Sequence, residues 1–260
     1  MSKLPDVLWL NVSPSFKCFD RPLLCHLAQH QTIAQWEYCQ ELDEPNSFEV
    51  ALTLLHDYVK SCDHPLHLVG HGTSGLLGLL YAQRYPERVR SLTLFSVGVQ
   101  PAIDWQTHYY TRRRLLSQPR AKILRQMVCE LFGCSPQPTV EVLIKLLEQD
   151  LDQALSLHHL FRQVDLPMIH VTVPLLVCGS VDYTILDPNH IRDWQQHFSQ
   201  STSRLWICPG GRYFFHYFYP QPVSKEVLSF WRSTSSDSDS NRSTKTQTQC
   251  LKHHSLPESR

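Results

Sequence analysis

The sequence predicts an α/β fold: a mostly parallel sheet flanked by helices, with a helical lid inserted into it. Three observations carry this expectation. Short, nearly continuous apolar runs such as VLWLNV at 7–12 have the composition of strands buried on both faces. These runs alternate with helical stretches, as in βαβ units. Between Pro101 and Asp165 the strand signals stop and helical periodicity takes over, as expected of an insertion.

Taken in order, Val7–Val12 is the first strand. Asp20 is placed to cap a helix reaching about His30, with Pro22 inside its first turn. Thr32–Tyr38 is a second strand. Asn46 followed by Glu49 has the spacing of a capping box, ahead of a helix to about Lys60. Leu66–Gly70 is a strand, Thr73–Tyr85 a helix stopped by Pro86, and Arg90–Val97 another strand. The helical stretch that follows is broken at Pro119, Gly133, Pro136 and Pro138. Strands return at Val173–Cys178 and Arg204–Cys208, followed by helices at about Pro188–Phe198 and Pro220–Trp231. The expected organisation is one domain over 1–232, with the lid at about 101–168. The tail 233–260 opens on STSSDSDSNRSTKTQTQ, too poor in apolar residues to offset ordering entropy, so disorder is expected.

Composition narrows the function. The chain has 260 residues, 42% of them hydrophobic, enough for one sizeable core. Lys plus Arg and Asp plus Glu both number 24, so no global charge favours nucleic acid or an acidic membrane surface. No apolar run is long enough for a membrane span. MSKLPDVLWLNV lacks a signal-peptide layout, and a cytoplasmic location is expected. The nine Cys are scattered without a CxxC, several inside apolar runs, and read as reduced core thiols. The 15 His form no HExxH or similar cluster; neither a metal nor a cofactor is expected.

Three landmarks carry a family resemblance. Val69-Gly70-His71-Gly72-Thr73-Ser74-Gly75 follows a strand and opens a helix, and Tyr85-Pro86-Glu87-Arg88-Val89 precedes the next strand. VPLLVCGSVD ends on Asp182. PGGRYFFHYFYPQPVSKEVLSFW closes the ordered part of the chain. In this order they resemble the α/β-hydrolase fold over about residues 6–231. The resemblance implies a nucleophile at position 72, an acid at Asp182 and a general base at position 213. It also implies an oxyanion segment at Asn11-Val12, where the family often has His-Gly.

The residues at those positions do not form the machinery. Gly72 has no side chain, and Tyr213, with an ordinary pKa near 10, is a poor base at neutral pH. Of the triad only Asp182 remains. Glycine suits an elbow with positive φ once no hydroxyl is needed there. Thr73 and Ser74 read as helix-start caps. A fallback catalytic set is Ser74 with His216 as a displaced base and Asp182. Without catalysis, Asn11, Val12, His71, Gly72, Thr73, Tyr213 and His216 are the candidate lining for a small-molecule ligand, helped by the free N–H groups at the helix start. A protein partner is the other expectation. YFFHYFY at 213–219 either fills the emptied cleft or forms an aromatic docking patch. RRRLLSQPRAKILR at 112–125 reads as a solvated basic face. The expected reading is a hydrolase-fold protein without catalysis that binds a ligand or partner, with an esterase- or thioesterase-like enzyme and a structural subunit with a filled cleft as alternatives.

Overall fold

The computed structural model describes residues 4–40, 46–133, 140–158, 166, 169–185 and 188–234. Among these, six strands form one sheet: β1 (Val7–Asn11), β2 (Ile33–Glu37), β3 (Leu66–His71), β4 (Val89–Phe95), β5 (Leu175–Ser180) and β6 (Arg204–Cys208). All pairings are parallel, in the order β2-β1-β3-β4-β5-β6. The order reverses beside β1, so the crevice of this sheet lies beyond the carboxyl ends of β1 and β3.

The pleat divides each strand between two cores. Leu8 and Leu10 of β1 face one side with Leu68, Leu92 and Leu94. There they meet Leu52 and Leu55 of helix α2, which follows α1 (Lys17–Leu27) and spans Phe48–Val59, and Leu76 and Leu79 of α3 (Thr73–Arg84). Val7 and Trp9 face the other side with Val69 and Phe95, against Leu23 and Leu27 of α1. Burial on both faces is why these strands read as unbroken apolar runs.

Among the described residues three helices stand between β4 and β5: α4 (Trp105–Leu115), α5 (Arg120–Phe132) and α6 (Val140–Gln153). α4 opens with a capping box in which Asp104 accepts from Thr107 N, and Thr107 accepts from Asp104 N. α5 packs on both neighbours, and α6 touches the turn Pro14–Phe16 that follows β1. Part of the basic run is paired: Arg112 meets Glu130 at 2.8 Å, and Arg120 and Arg125 lie near acids of α6. Beyond β5 come α7 (Pro188–Arg192), a 3-10 turn at Asp193–His197, β6, a 3-10 turn at Arg212–Phe214, α8 (Phe215–Phe218) and α9 over 220–234. Val223, Val227, Phe230 and Trp231 of α9 close the second core.

Several local expectations are corrected. Helix α1 begins at Lys17 and ends at Leu27, with Asp20 inside its first turn instead of capping it. The Asp20 carboxylate is drawn to two buried donors, described below. The proposed box at Asn46 and Glu49 does not form: Ser47 is the N-cap and makes no side-chain cap. Glu49 instead pairs with both terminal nitrogens of Arg84, at 2.8 and 2.9 Å, and Asn46 Oδ1 accepts from Ser156 N. α9 passes the expected boundary at 232, and the hydroxyls of Ser233 and Thr234 donate to the carbonyls of Phe230 and Trp231. Of the expected tail, residues 235–260 lie outside the described residues, as does part of the region 101–168. No helix among the described residues is long and apolar enough to cross a membrane.

Candidate functional site

Gly72 joins β3 to α3 at φ 51° and ψ −122°, a conformation that side chains rarely adopt. Its N–H donates to Phe95 O at 2.9 Å, and its carbonyl accepts the first helical bond, from Leu76 N. The sharp elbow read from the sequence is therefore built. A Cβ placed on Gly72 would overlap the Tyr213 hydroxyl and lie 3.2 Å from Tyr213 Cζ. The phenol thus fills the space that a side chain on the elbow would need.

Tyr213 is held in place by its backbone. Gly211 at φ 97° and Arg212 at φ 53° make the turn that delivers it. Its carbonyl accepts from His71 Nε2 and Ser96 Oγ, both at 2.9 Å. The His71 ring meets the Tyr213 ring edge-on at 4.4 Å. Burial pushes the Tyr213 hydroxyl far above its ordinary pKa and the His71 imidazole well below its own. Neither group is a base matched to neutral pH. Beyond Tyr213, Phe214 is a hub of rings, 4.6 Å from Phe19, 4.5 Å from Phe132 and 5.2 Å from Phe16.

The other predicted site residues have separate partners. Ser74 Oγ accepts from Val12 N at 3.0 Å, and Thr73 Oγ1 donates to Asp104 at 2.8 Å. Neither caps α3: Gly72 holds the N-cap position, and these two hydroxyls bind groups on other segments. Asn11 Oδ1 accepts from Ser13 N at 2.9 Å. His216 is fully buried, and its Nε2 lies 3.1 Å from Asp20 Oδ1, while Asp20 Oδ2 accepts from Trp9 Nε1 at 3.0 Å. Asp182 is exposed; its Oδ1 accepts from Ser180 Oγ and from Arg212 N at 2.9 Å. Burial raises the Asp182 pKa, but bonds from Ser180 and from the Arg212, Asp182 and Gly211 backbone outweigh it and hold the carboxyl below its usual range. The structure gathers His71, Gly72 and Tyr213, with the His216 ring tilted against that of His71 at 4.6 Å. Each of Ser74, His216 and Asp182 bonds elsewhere.

Comparison with known proteins places the fold. No family model matches the chain. It is 43% identical over 227 residues to an uncharacterized protein of Synechocystis sp., covering 87% of this chain and 90% of that one. It is 42% identical over 232 residues to an uncharacterized protein of Nostoc sp., covering 89% and 92%. Among solved structures, a thermophilic esterase superposes with a TM-score of 0.66 at 16% identity, covering 89% of this chain and 91% of that one. A proline iminopeptidase of Mycobacterium smegmatis gives 0.64 at 14% identity, covering 90% and 91%. Other matches include a type II thioesterase and a haloalkane dehalogenase. The chain has the α/β-hydrolase fold. At these identities the likeness to solved structures is one of fold.

In enzymes of the α/β-hydrolase fold the elbow and the segment after the first strand frame the reacting carbonyl, with a backbone N–H of that segment among the oxyanion donors. Here the Val12 N–H of that segment is taken by Ser74 Oγ. The elbow remains while its surroundings bond among themselves.

One buried group escaped the sequence reading. Asp150 of α6 is 1% exposed; it accepts from Ser15 Oγ at 3.1 Å and Gln106 Nε2 at 2.9 Å. It ties α6 to α4 and to the turn after β1. Burial, reinforced by Asp104 and opposed by the hydrogen bonds, lifts its pKa to about 7. Its signal lay in the spacing: Leu143, Leu147 and Asp150 are at i, i+4 and i+7 on the buried side of one helix.

Proposed function

We propose that this α/β-hydrolase-fold protein is not a hydrolase and acts by binding a protein partner through its surface. The observation that supports this most is the pairing of Gly72 with Tyr213. The position that would carry a nucleophile has no side chain, and a buried phenol takes up its space. A serine-type mechanism needs a hydroxyl at the elbow and a base to take and return its proton. The position that would supply the base holds a tyrosine whose burial makes ionisation harder. A cleft filled from inside by Tyr213, Phe214 and their aromatic neighbours favours a partner on the surface over a small molecule at the elbow.

The test is covalent labelling of the full chain with a fluorophosphonate probe, beside an active serine esterase as a control, together with turnover of short p-nitrophenyl esters. The expected result is no labelling and turnover equal to the buffer blank. Labelling that disappears in Ser74→Ala would overturn the proposal and establish the fallback set of Ser74, His216 and Asp182.

A further inference from the structure

Strand β2 is an open edge of the sheet. It pairs with β1 alone, in unbroken register from Ile33 to Glu37. Thr32 O accepts from Val7 N at 3.2 Å and Tyr38 N donates to Asn11 O at 2.9 Å, so the even-numbered residues turn their main chain towards β1. The alternate residues of a strand turn theirs the other way. The N–H and C=O groups of Ile33, Gln35 and Glu37 therefore face outward, and among the described residues they have no partner. Proline and bulges, which blunt edges, are absent from this strand. Its one charge, Glu37, is taken by Lys17 Nζ at 2.6 Å.

A pocket of about 570 Å3 lies between this edge and α1. Leu24, Cys25 and Ala28 form its apolar wall, Gln35 borders it from β2, and Lys17 and Arg21 bring two cations. Lys17 is held by Glu37. Arg21 is exposed and has no hydrogen-bond or ion-pair partner among the described residues. Ile33, Gln35 and Glu37 also point their side chains to this face, where Ile33 packs against the core that α1 closes. A row of outward main-chain groups is matched by an extended backbone, which places every second side chain over the pocket. The unpaired cation calls for a carboxylate there, and the apolar wall for aliphatic side chains beside it. A second copy of β2 does not supply this, since the one carboxylate it carries is already neutralised by Lys17.

We propose that β2 receives an extended segment of a protein partner as a further strand of the sheet. An Asp or Glu side chain of that segment pairs with Arg21, and aliphatic side chains two positions away enter the apolar pocket. This rests on the reading that the protein acts through a partner on its surface, and it names the surface and the chemistry of the segment.

The experiment selects a phage-displayed library of random nonapeptides on the full chain, then titrates the enriched peptides, made synthetically, into 15N-labelled protein. Enriched sequences should carry Asp or Glu with aliphatic residues two positions to either side, and no proline between them. Bound peptide should slow hydrogen exchange at the amides of Ile33, Gln35 and Glu37. Arg21→Glu, a change at an exposed side chain without a partner, should weaken binding about tenfold or more. Gln35→Pro deletes an outward N–H from the edge and should do the same; Arg21→Glu keeps the test open if that variant does not fold. Peptides that bind Arg21→Glu equally well and leave the β2 amides exchanging would overturn this proposal and leave the partner reading standing. Self-association of the full chain that Gln35→Pro abolishes would put a second copy in place of the partner and also overturn it. Absence of any enriched peptide would overturn it as well, while the lack of catalysis is tested apart, by fluorophosphonate labelling.

Discussion

Replacing Gly72 by alanine adds one methyl group where the Tyr213 hydroxyl already sits. Two costs follow from the geometry. The backbone at φ 51° and ψ −122° is strained for any residue with a Cβ, at about 1–3 kcal/mol. The new methyl also overlaps the Tyr213 hydroxyl, and forcing such a contact in a packed core costs about 1–3 kcal/mol more. Gly72→Ala should therefore lose about 2–6 kcal/mol in total. Tyr213→Phe removes the overlapping oxygen and leaves the ring, whose Cζ would be 3.2 Å from the methyl, a tight but tolerable contact. In the double variant the overlap is relieved while the backbone strain remains. The two changes should thus depart from additivity by about 1–3 kcal/mol in the stabilising direction. Urea or guanidinium unfolding of the four proteins measures this, provided that the m-value is common to all. A Gly72→Ala variant within about 0.5 kcal/mol of the parent would show that the turn is not strained. Additivity within about 0.5 kcal/mol would show that the phenol does not compete for the space. Gly72→Ser with Tyr213→His should be the first variant to react measurably with a fluorophosphonate; a single Gly72→Ser variant equally reactive would place another base, such as His216, in reach.

Asp150 gives a pH signature. Its pKa is about 7 in the fold and near 4 in an unfolded chain, so its contribution is full below about pH 4 and is lost as the pH rises through 7, by at most about 4 kcal/mol. The depressed imidazoles of His67 and His71 act in the opposite sense, so the test is a difference: the stability of Asp150→Asn relative to the parent should grow as the pH rises from about 4 to 7 in chemical unfolding, and a difference independent of pH would remove Asp150 as a source. Asp20→Ala strips the acceptor from Trp9 Nε1 and His216 Nε2 at once and should cost about 2–5 kcal/mol by denaturant unfolding, whereas Asp20→Asn, which retains an acceptor oxygen, should cost less. Truncation after Thr234 should leave the melting temperature nearly unchanged, because the removed segment is poor in apolar residues; a large drop would show that it docks on the domain.

Much of the frame was legible because it depends on local pattern. The apolar runs of β1, β3 and β4 are buried on both faces, which no polar alternation could disguise. The elbow was readable from Gly72 between a strand and a helix, since positive φ is a local demand. What filled the elbow was legible only as one of two readings of the aromatic run 213–219, because Tyr213 arrives from the far end of the sheet and only packing brings it there. The same holds for side chains that serve distant partners. Ser74 and Thr73 looked like caps, yet one answers the Val12 N–H and the other Asp104. Asp20 looked like a cap, yet it satisfies an indole of β1 and an imidazole of α8. A polar side chain near a helix start satisfies whichever unpaired group is buried beside it, and the sequence does not reveal that neighbour. The aromatic run 213–219 was ambiguous for a related reason: its first half packs inward, while Phe218 and Tyr219 remain partly in solvent.

The shared space at the elbow also shapes which sequences are reachable from this one. A path to an elbow serine by single substitutions has two first steps. Serine first places a side chain where the phenol already is, in a backbone that resists any Cβ. A smaller residue at 213 first empties a buried pocket, and loss of a large core ring costs about 3–5 kcal/mol. Either intermediate is expected to be less stable than the present protein. Positions 72 and 213 are therefore expected to change together: a relative with a side chain at the elbow should carry something smaller than tyrosine at 213. The glycine and the tyrosine hold each other in place across 141 residues of chain.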